Sequence, residues 1–248
     1  MSKIVKVNIS SVNNITKQDI DNMYALMETF YDGMNYENFQ KDLYAKNWCL
    51  ILRKTSDDKI IGFTTIKYFK LTFDNEDIYG IFSGDTIVHK DFWHEQALFG
   101  AWLKFVITLA EKSPGRLYWF IICKGHRTYR ILPVFYNEFY PVYNKTTPIF
   151  EKSLMDCFGE SFYKNEYNSK TGIVNYIHAK DRLKDSVGEI SENRLRDPHI
   201  NFFAQVNPTY RVGDDLVCIC PLIYENLNER GKKMFNNCDY SYEPESCF

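Results

Sequence analysis

The sequence lacks a long apolar run and lacks an excess of charge of either sign. A helix that spans a bilayer needs about 20 consecutive apolar residues. The best candidate here, residues 98–110, is interrupted by Lys104 and Thr108. The formal net charge is −2, so the chain has no basic surplus of the kind that neutralises nucleic-acid phosphates. These two absences exclude a membrane-spanning helix and argue against a nucleic-acid partner.

Signals for export and for structural zinc are missing as well. Residues 1–10 alternate polar and apolar side chains and contain no apolar core of a signal peptide. The seven cysteines are odd in number and follow no zinc-ligand spacing. We therefore expect reduced thiols in a cytoplasmic protein that holds no metal. The competing interpretation is a metal site that combines Cys218 and Cys220, two positions on one strand face, with a histidine.

Hydrophobic periodicity predicts strands and helices in the first 143 residues. The expected strands cover residues 3–9, 47–54, 60–73, 76–89 and 116–123. The expected helices begin at Thr16, near Phe39, at about His94 and after Gly125. The second and third strands are joined by the short polar turn TSDDK, which favours an antiparallel hairpin.

The periodicity is weaker in the later part of the chain. It predicts a helix at 149–159, a strand at 171–178, a polar helix at about 179–195 and a closing hairpin made of 200–208 and 215–223. Residues 237–248 show no pattern and are predicted to form a C-terminal tail. Because no repeat or low-complexity linker divides the chain, we predict a single domain over residues 1–236 with an insertion at about 145–200.

The order β–α–α–β–β–β–α–β–α over residues 3–143 resembles that of the GNAT acyltransferase superfamily. The segments SGDTIVH, LYWF and KGHRTYR are also similar to those of a divergent bacterial branch within it. The resemblance implies an α/β fold in which helices flank a mixed, mainly antiparallel sheet. It implies transfer of an acyl group from a thioester to an amine. In this superfamily the fourth and fifth strands splay apart around the thioester, and the loop after the fourth strand binds the pyrophosphate of coenzyme A.

The corresponding loop departs from the family pattern Gln/Arg-x-x-Gly-x-Gly/Ala. With Val88 aligned to the valine that precedes the loop, the three key positions hold Trp93, Gln96 and Leu98. Neither glycine is present, so the side chains of the loop do not match the coenzyme A motif.

Two interpretations of this loop stay open. A helix start presents free N–H groups whatever its side chains are, so an anion can bind there without glycine. A donor site would then consist of the loop residues Val88, His89, Lys90, Trp93 and Gln96, of which His89 and Lys90 add positive charge. In the other interpretation, Asp91 caps the helix and occupies those N–H groups, while Trp93 is anchored in the core.

The segment Ser83-Gly84-Asp85-Thr86 is a second candidate site. Acyl transfer to an amine requires a base that takes a proton from the nucleophile. The resemblance implies a carboxylate on or near the fourth strand in this role, acting through water, and Asp85 is the one carboxylate in the body of that predicted strand. Ser83 is then a candidate contact to the substrate. Alternatively, Asp85 forms an Asx turn or pairs with an arginine.

The segment KGHRTYR, residues 124–130, directly follows the buried fifth strand, and α/β folds place ligands at such strand ends. The catalytic candidate here is His126, and the substrate-binding candidates are Arg127 and Arg130. The resemblance implies a tyrosine near the start of the next helix as general acid toward the leaving thiolate. Tyr129 is the first candidate for this role and Tyr136 the second. The alternative is a capped helix whose arginines pair with nearby carboxylates.

These residues together predict an N-acyltransferase that acts on an amine, with a small molecule as acceptor. The donor is either acyl-coenzyme A or the acylated phosphopantetheine arm of an acyl carrier protein, which carries a single phosphate and needs no pyrophosphate motif. The competing hypothesis is a GNAT-like module that has lost catalysis and binds a ligand or a protein.

Overall fold

The computed structural model describes residues 4–177 and 181–240, and an eight-stranded sheet runs through this part of the chain. The strands are β1 (Val5–Ser11), β2 (Tyr31–Asp32), β3 (Trp48–Lys54), β4 (Ile60–Phe73), β5 (Glu76–Val88), β6 (Leu117–Cys123), β7 (Tyr167–Asn168), β8 (Ile173–Val174), β9 (Arg182–Leu183) and β10 (Asp215–Pro221). The helices are α1 (Lys17–Glu28), α2 (Tyr36–Tyr44), α3 (Ala97–Lys112), α4 (His126–Phe135), α5 (Ile149–Tyr163), α6 (Asp185–Gly188), α7 (Pro198–Val206) and α8 (Glu229–Asn237).

The strand order of the large sheet is β1-β3-β4-β5-β6-β10-β8-β7. Neighbouring strands are antiparallel except β5 and β6, which are parallel. A parallel pair needs a crossover, and α3 provides it. Strands β2 and β9 form a separate pair. This is the mixed, mainly antiparallel sheet that the sequence predicts, so the expected fold class is confirmed.

Local signals account for most of the first half of the fold. The Thr16 side chain accepts a hydrogen bond from the Asp19 amide at 3.1 Å, which is the predicted cap of α1. Strand β6, LYWFIIC, is buried almost throughout, because helices cover both faces of the sheet at that position. The predicted element order over residues 3–143 is confirmed, with the two-residue β2 as an addition.

Helices cover the two faces of the sheet in different groups. Alternate residues of β3 show this: Leu50 packs in the cluster that contains α3, α4 and α7, whereas Ile51 packs in the cluster that contains α1 and α2. Helix α5 packs on the same face as α1 and α2, because Phe63 and Phe69 point to one side of β4 and contact the α1–α2 group and α5 respectively.

The structure corrects three predictions for the second half. Residues 200–208 belong largely to helix α7 and form no hairpin strand. Their apolar residues fit either period, but Asp197 accepts from the His199 amide and Pro198 occupies the first turn, which are helix-start signals. Instead of a long polar helix at 179–195, the described residues of this range contain the two-residue β9, the four-residue α6 and the start of a short 3-10 turn.

The third correction is an added helix. Residues 224–236, for which no element was predicted, contain most of α8. The predicted tail begins with the last residue of α8, Asn237, and its residues 241–248 lie outside the described part of the chain.

The insertion shares its core with the sheet. Phe158 of α5 is fully buried, and its ring stacks on Phe120 of β6 with centroids 4.4 Å apart. It also contacts Phe69 of β4 and Phe82 of β5. These contacts favour one cooperative folding unit over an insertion that folds on its own.

We predict that Phe158→Ala lowers the free energy of unfolding by about 3–5 kcal/mol, because it removes a buried ring and leaves a cavity beneath α5. Ile149→Ala in the same helix is the control: Ile149 is 87% exposed, so its change should stay within about 0.5 kcal/mol. Urea unfolding followed by circular dichroism and by tryptophan fluorescence measures both. Non-coincident transitions for the two probes in the unmodified protein would contradict the single domain.

Candidate functional site

Strands β5 and β6 part in the middle of the sheet. Their parallel pairing runs from Tyr79–Leu117 to Phe82–Phe120 and then stops, although β5 continues to Val88. From Ser83 onward, β5 therefore has no partner residue on the β6 side. A gap between the two strands opens toward their carboxyl ends.

A β-bulge lies where the strands part. Thr64 pairs with Thr86 and Ile66 with Ser83, so that Gly84 and Asp85 together face the single residue Thr65. A bulge of this kind bends the strand and redirects a side chain. A Cβ atom on Gly84 would lie 2.7 Å from Thr65 Oγ1, so the bulge requires glycine at this position.

The gap is a cavity of about 770 Å³, within the size range of small-ligand sites. Its lining comes from both faces of the sheet. From the face of α3 and α4 it receives Leu98, Phe99, Trp102, Thr128 and Ile131. From the opposite face it receives Asn38, Asp42, Phe162, Tyr163 and Tyr176. The cavity thus connects the two faces through the parted strands.

Asp85 lines this cavity and is otherwise surrounded by protein. Burial, followed by repulsion from Asp42, raises the pKa of its carboxyl to about 7. Lys46 and Lys124 oppose this rise in pKa, and Asp181 adds to it. The side chain keeps some accessible surface because the cavity admits water. A carboxyl that titrates near neutrality and reaches a water-sized space is suited to act as a general base.

Ser83 lies beside Asp85 on the cavity wall. Its hydroxyl accepts a hydrogen bond from the indole N–H of Trp102 at 3.1 Å, which ties β5 to α3. Within residues 4–177 and 181–240, Asp85 forms no ion pair with an arginine. The structure therefore brings Ser83 and Asp85 together at the cavity, as the sequence predicts, and removes one alternative role for Asp85.

Three lysines on the cavity wall, Lys46, Lys67 and Lys124, were not predicted as site residues from the sequence. Lys46, just after α2, is almost fully buried and pairs with Asp42. Lys124, just after β6, lies 3.6 Å from Asp215 Oδ2. The four-residue spacing between Asp42 and Lys46 at the end of a predicted helix was visible in the sequence. The proximity of Asp42 and Lys46 to Asp85, however, depends on tertiary contacts.

The helix after the donor loop begins later in the sequence than expected. Residues Lys90–Phe92 form a 3-10 turn, and α3 begins only at Ala97. The N-cap residue is Gln96, which makes no side-chain capping hydrogen bond, so Asp91 does not cap this helix. The first N–H groups of α3 are therefore not occupied by a capping side chain. Since Leu98 and Phe99 line the cavity, the helix start lies at its edge.

The side chains of the loop are engaged elsewhere. Trp93 is 42% exposed and donates its indole N–H to the Val88 carbonyl at 2.8 Å, so it is not a core anchor. His89 accepts from the Asp91 amide at 3.4 Å, and Lys90 donates to Ser186 at 3.4 Å. Of the five predicted donor residues, Val88 alone is found among those that line the cavity, and Gln96 is exposed.

The tyrosines predicted as general acids lie in the core. The Tyr129 hydroxyl donates to the Pro141 carbonyl at 2.9 Å, and the side chain is fully buried outside the cavity lining. Tyr136 is also buried outside that lining, and burial raises its pKa. Thr128, the residue before Tyr129, faces the cavity instead. The correction follows from helix geometry: a shift of one residue rotates a side chain by about 100°.

The other residues of KGHRTYR also lie away from the cavity. His126 is buried, and burial, aided by Arg127 and Arg194, lowers its pKa to about 4, so it is neutral at pH 7. Arg127 packs 4.4 Å above the Trp93 ring, and Arg130 pairs with Asp197 at 2.6 Å. The segment contributes Lys124 and Thr128 to the cavity, and the structure does not support the catalytic role predicted for His126.

The described residues contain neither a metal-binding cluster nor a membrane-spanning helix. No group of three or more His, Cys, Asp or Glu side chains in residues 4–177 and 181–240 is arranged to hold a metal ion. No helix in the same part of the chain is both long enough and apolar enough to cross a membrane. The six cysteines in that part of the chain are unpaired.

Comparisons with known proteins find similarity in structure only. No protein-family model matches the sequence, and no curated protein matches it significantly. Yeast (Saccharomyces cerevisiae) N-myristoyltransferase with bound myristoyl-CoA is 13% identical with a TM-score of 0.38, covering 48% of this chain and 31% of the enzyme. A probable N-acyltransferase from Enterococcus faecalis is 10% identical with a TM-score of 0.41, covering 86% of this chain and 65% of that protein.

An Escherichia coli GNAT family N-acetyltransferase in complex with CoA is 11% identical with a TM-score of 0.38, covering 54% of this chain and 71% of the enzyme. The chain spans about a third of the length of the yeast enzyme, 31%. Similarity at this level carries no argument about activity, and the strand order and the parted strands are the stronger observations. The strand order and the parting of β5 and β6, the fourth and fifth main strands, are the arrangement that the resemblance of the sequence implies.

We predict that Tyr129→Phe lowers the free energy of unfolding by about 1 kcal/mol, because the Pro141 carbonyl loses its buried donor. Chemical denaturation measures this loss. The same variant should bind ligands in the cavity as the unmodified protein does, since the hydroxyl does not reach the cavity. Weakened binding in a fully folded variant would show that Tyr129 is part of the binding site.

The raised pKa of Asp85 predicts a specific dependence of stability on pH. The carboxyl ionises near pH 4 in the unfolded chain and near pH 7 in the folded protein. Between these values the folded state binds more protons, so its stability falls as pH rises from about 4 to about 7. Asp85→Asn should therefore gain stability relative to the unmodified protein by about 3 kcal/mol between pH 4.5 and pH 8.

Differential scanning calorimetry at the two pH values measures this difference. Asp91→Asn is the control, because the Asp91 side chain is 80% exposed and its effect on stability should stay within about 0.5 kcal/mol. A stability difference for Asp85→Asn that does not change with pH would show that Asp85 is an ordinary surface carboxylate.

Proposed function

We propose that this protein transfers an acyl group from a thioester to an amine. The observation that carries the proposal is the parting of β5 and β6 after Phe82 and Phe120 around a cavity that Asp85 lines. Since this gap joins both faces of the sheet, a donor can enter from the side of α3 and α4 while an acceptor enters from the side of α2 and α5. The two substrates then meet at the bulge.

Asp85 acts as the general base. An amine acceptor is protonated in water near neutral pH and must lose a proton before it attacks the thioester carbonyl. With its pKa at about 7, the carboxyl is ionised in a substantial fraction of molecules and still basic enough to accept this proton, directly or through a water in the cavity. The proton passes to Asp85, the C–N bond forms, and the C–S bond breaks with its electron pair remaining on sulfur. The second proton of the nitrogen then passes to the departing thiolate, which leaves a neutral amide and a thiol.

The departing thiolate needs little assistance. A thiol has a pKa of about 8.5, so it leaves as an anion far more readily than an alcohol would. Thr128 is the hydroxyl of α4 that faces the cavity, and it takes the place that the sequence assigned to Tyr129. The carbonyl oxygen is polarised by those N–H groups of β5 beyond Ser83 that point toward the missing β6 partner.

The donor is coenzyme A or the phosphopantetheine arm of an acyl carrier protein. The uncapped start of α3 supports binding of a phosphate through backbone N–H groups. The engagement of His89, Lys90 and Trp93 in other contacts favours the donor with the smaller phosphate group. The alternative function, binding without catalysis, uses the same cavity.

Binding and turnover test the proposal separately. Thermal melting with acetyl-, octanoyl- and palmitoyl-coenzyme A and with octanoyl acyl carrier protein should show a raised midpoint for at least one donor. With that donor and a panel of primary amines, Asp85→Asn should lower kcat about 100-fold or more, and the donor-induced melting shift should persist. Rates in the unmodified protein should rise with pH and level off above about 7, following Asp85.

Asp91→Asn, an exposed change in the adjacent loop, is the matched control and should leave the rate unchanged. A melting shift without turnover for any amine would support the binding module instead. No shift with any thioester would contradict both forms of the proposal.

A further inference from the structure

Lys46 is a buried lysine that the proposed mechanism does not yet use. Its side chain is 2% exposed, which is rare for lysine because an ammonium loses its hydration on burial. The ammonium pairs with the carboxylate of Asp42 and donates to the Asp42 carbonyl at 3.2 Å. It also lies 5.6 Å from the ring centroid of Phe82. Asp42 and the Phe82 ring thus hold the ammonium of Lys46 in one position.

That place is directly over the bulge. A Cβ atom on Gly84 would lie 2.7 Å from Lys46 Cε and 3.2 Å from Lys46 Nζ. The ammonium therefore occupies the space that any side chain at position 84 would fill. Asp85 is the next residue in the chain. Glycine at position 84 therefore leaves room both for the bulge and for the side chain of Lys46.

We propose that Lys46 is a positioning residue for the reaction: Asp42 holds its ammonium over the Gly84–Asp85 bulge, where this fixed positive charge keeps Asp85 available as an ionised base. The inference rests on the proposed role of Asp85. It adds two residues, Lys46 and Asp42, that touch neither donor nor acceptor in the mechanism above and act through Asp85.

Charges from several elements face Asp85. They are Asp42 and Lys46 at the end of α2, Lys124 after β6, and Asp181 before β9, with the titratable side chains Tyr31 of β2 and Cys49 of β3 also close enough to feel its charge. Lys124 is already engaged, 3.6 Å from Asp215 and 3.8 Å from Asp181. Lys46 has Asp42 as its carboxylate partner, and that side chain is 52% exposed, so solvent screens its charge.

This arrangement makes an unusual pair of predictions, because the two members of one ion pair should act on Asp85 with opposite signs. Lys46→Met removes an attractive charge and should raise the titration midpoint of Asp85 by about one unit. Asp42→Asn removes a repulsive charge whose effect on Asp85 exceeds the attraction of Lys46, so the midpoint should fall even though the ammonium loses its partner. Lys46→Arg keeps the charge and should titrate close to the unmodified protein.

The experiment is a carboxyl ¹³C NMR titration of protein labelled at aspartate, from pH 4.5 to 9, with the Asp85 signal assigned by its loss in Asp85→Asn.

An unchanged midpoint in Lys46→Met, or shifts of the same sign in Lys46→Met and Asp42→Asn, would overturn the proposal. Amide spectra of each variant show whether it is folded, and Lys46→Arg and Asp42→Asn decide the outcome should Lys46→Met be unstable. The titration needs no thioester, so a failure of the proposed acyl transfer is seen separately, as absent turnover with a normal Asp85 response. Where turnover is found, the pH at which the rate levels off should move with the midpoint.

Discussion

The short pairing between β5 and β6 is the constraint on which the rest of the site depends. Four residue pairs hold the two strands together, and the bulge at Gly84 and Asp85 then turns β5 away. A sheet that continued its pairing to Val88 would fill the gap with backbone hydrogen bonds and leave no cavity. Instead, Trp102 fixes Ser83 to α3 on one face, while Phe82 packs against α5 on the other. The parted strands are thus held open from both sides.

Burial at this point gives the charges their effect. In water a carboxylate and an ammonium interact weakly, but inside the cavity fewer solvent dipoles separate them. The pKa of Asp85 is raised chiefly because its charged form has lost hydration, and the lysines on the wall limit that rise. Neither a fully exposed nor a fully dry carboxyl would titrate near neutrality. The balance between cavity water and buried lysine is what makes Asp85 chemically useful.

The sequence predicted the parts of the site that local patterns determine. The strand pattern of residues 76–89 placed Ser83 and Asp85 close together, and both residues line the cavity. The choice between Thr128 and Tyr129 depended on which side of α4 faces the gap, and hydrophobicity does not distinguish a tyrosine in the core from one in a pocket. Residues 200–208 fitted either a strand or a helix until Asp197 and Pro198 were read as start signals. Lys46 could not be placed, because its contact with Gly84 joins positions 38 residues apart.

In the proposed reaction, the two faces of the sheet bind different substrates. Helices α3 and α4 follow β5 and β6 directly, so their position is tied to the same strands that form the gap. Helix α5 and the segment after it belong to the predicted insertion, and they contribute Phe162, Tyr163 and Tyr176 to the opposite end of the cavity. In the proposed reaction, changes in this segment therefore alter the acceptor end while the bulge and the donor end keep their geometry. The core that Phe158 shares with β4, β5 and β6 makes this possible, since it anchors the insertion beneath the site without using the residues that line it.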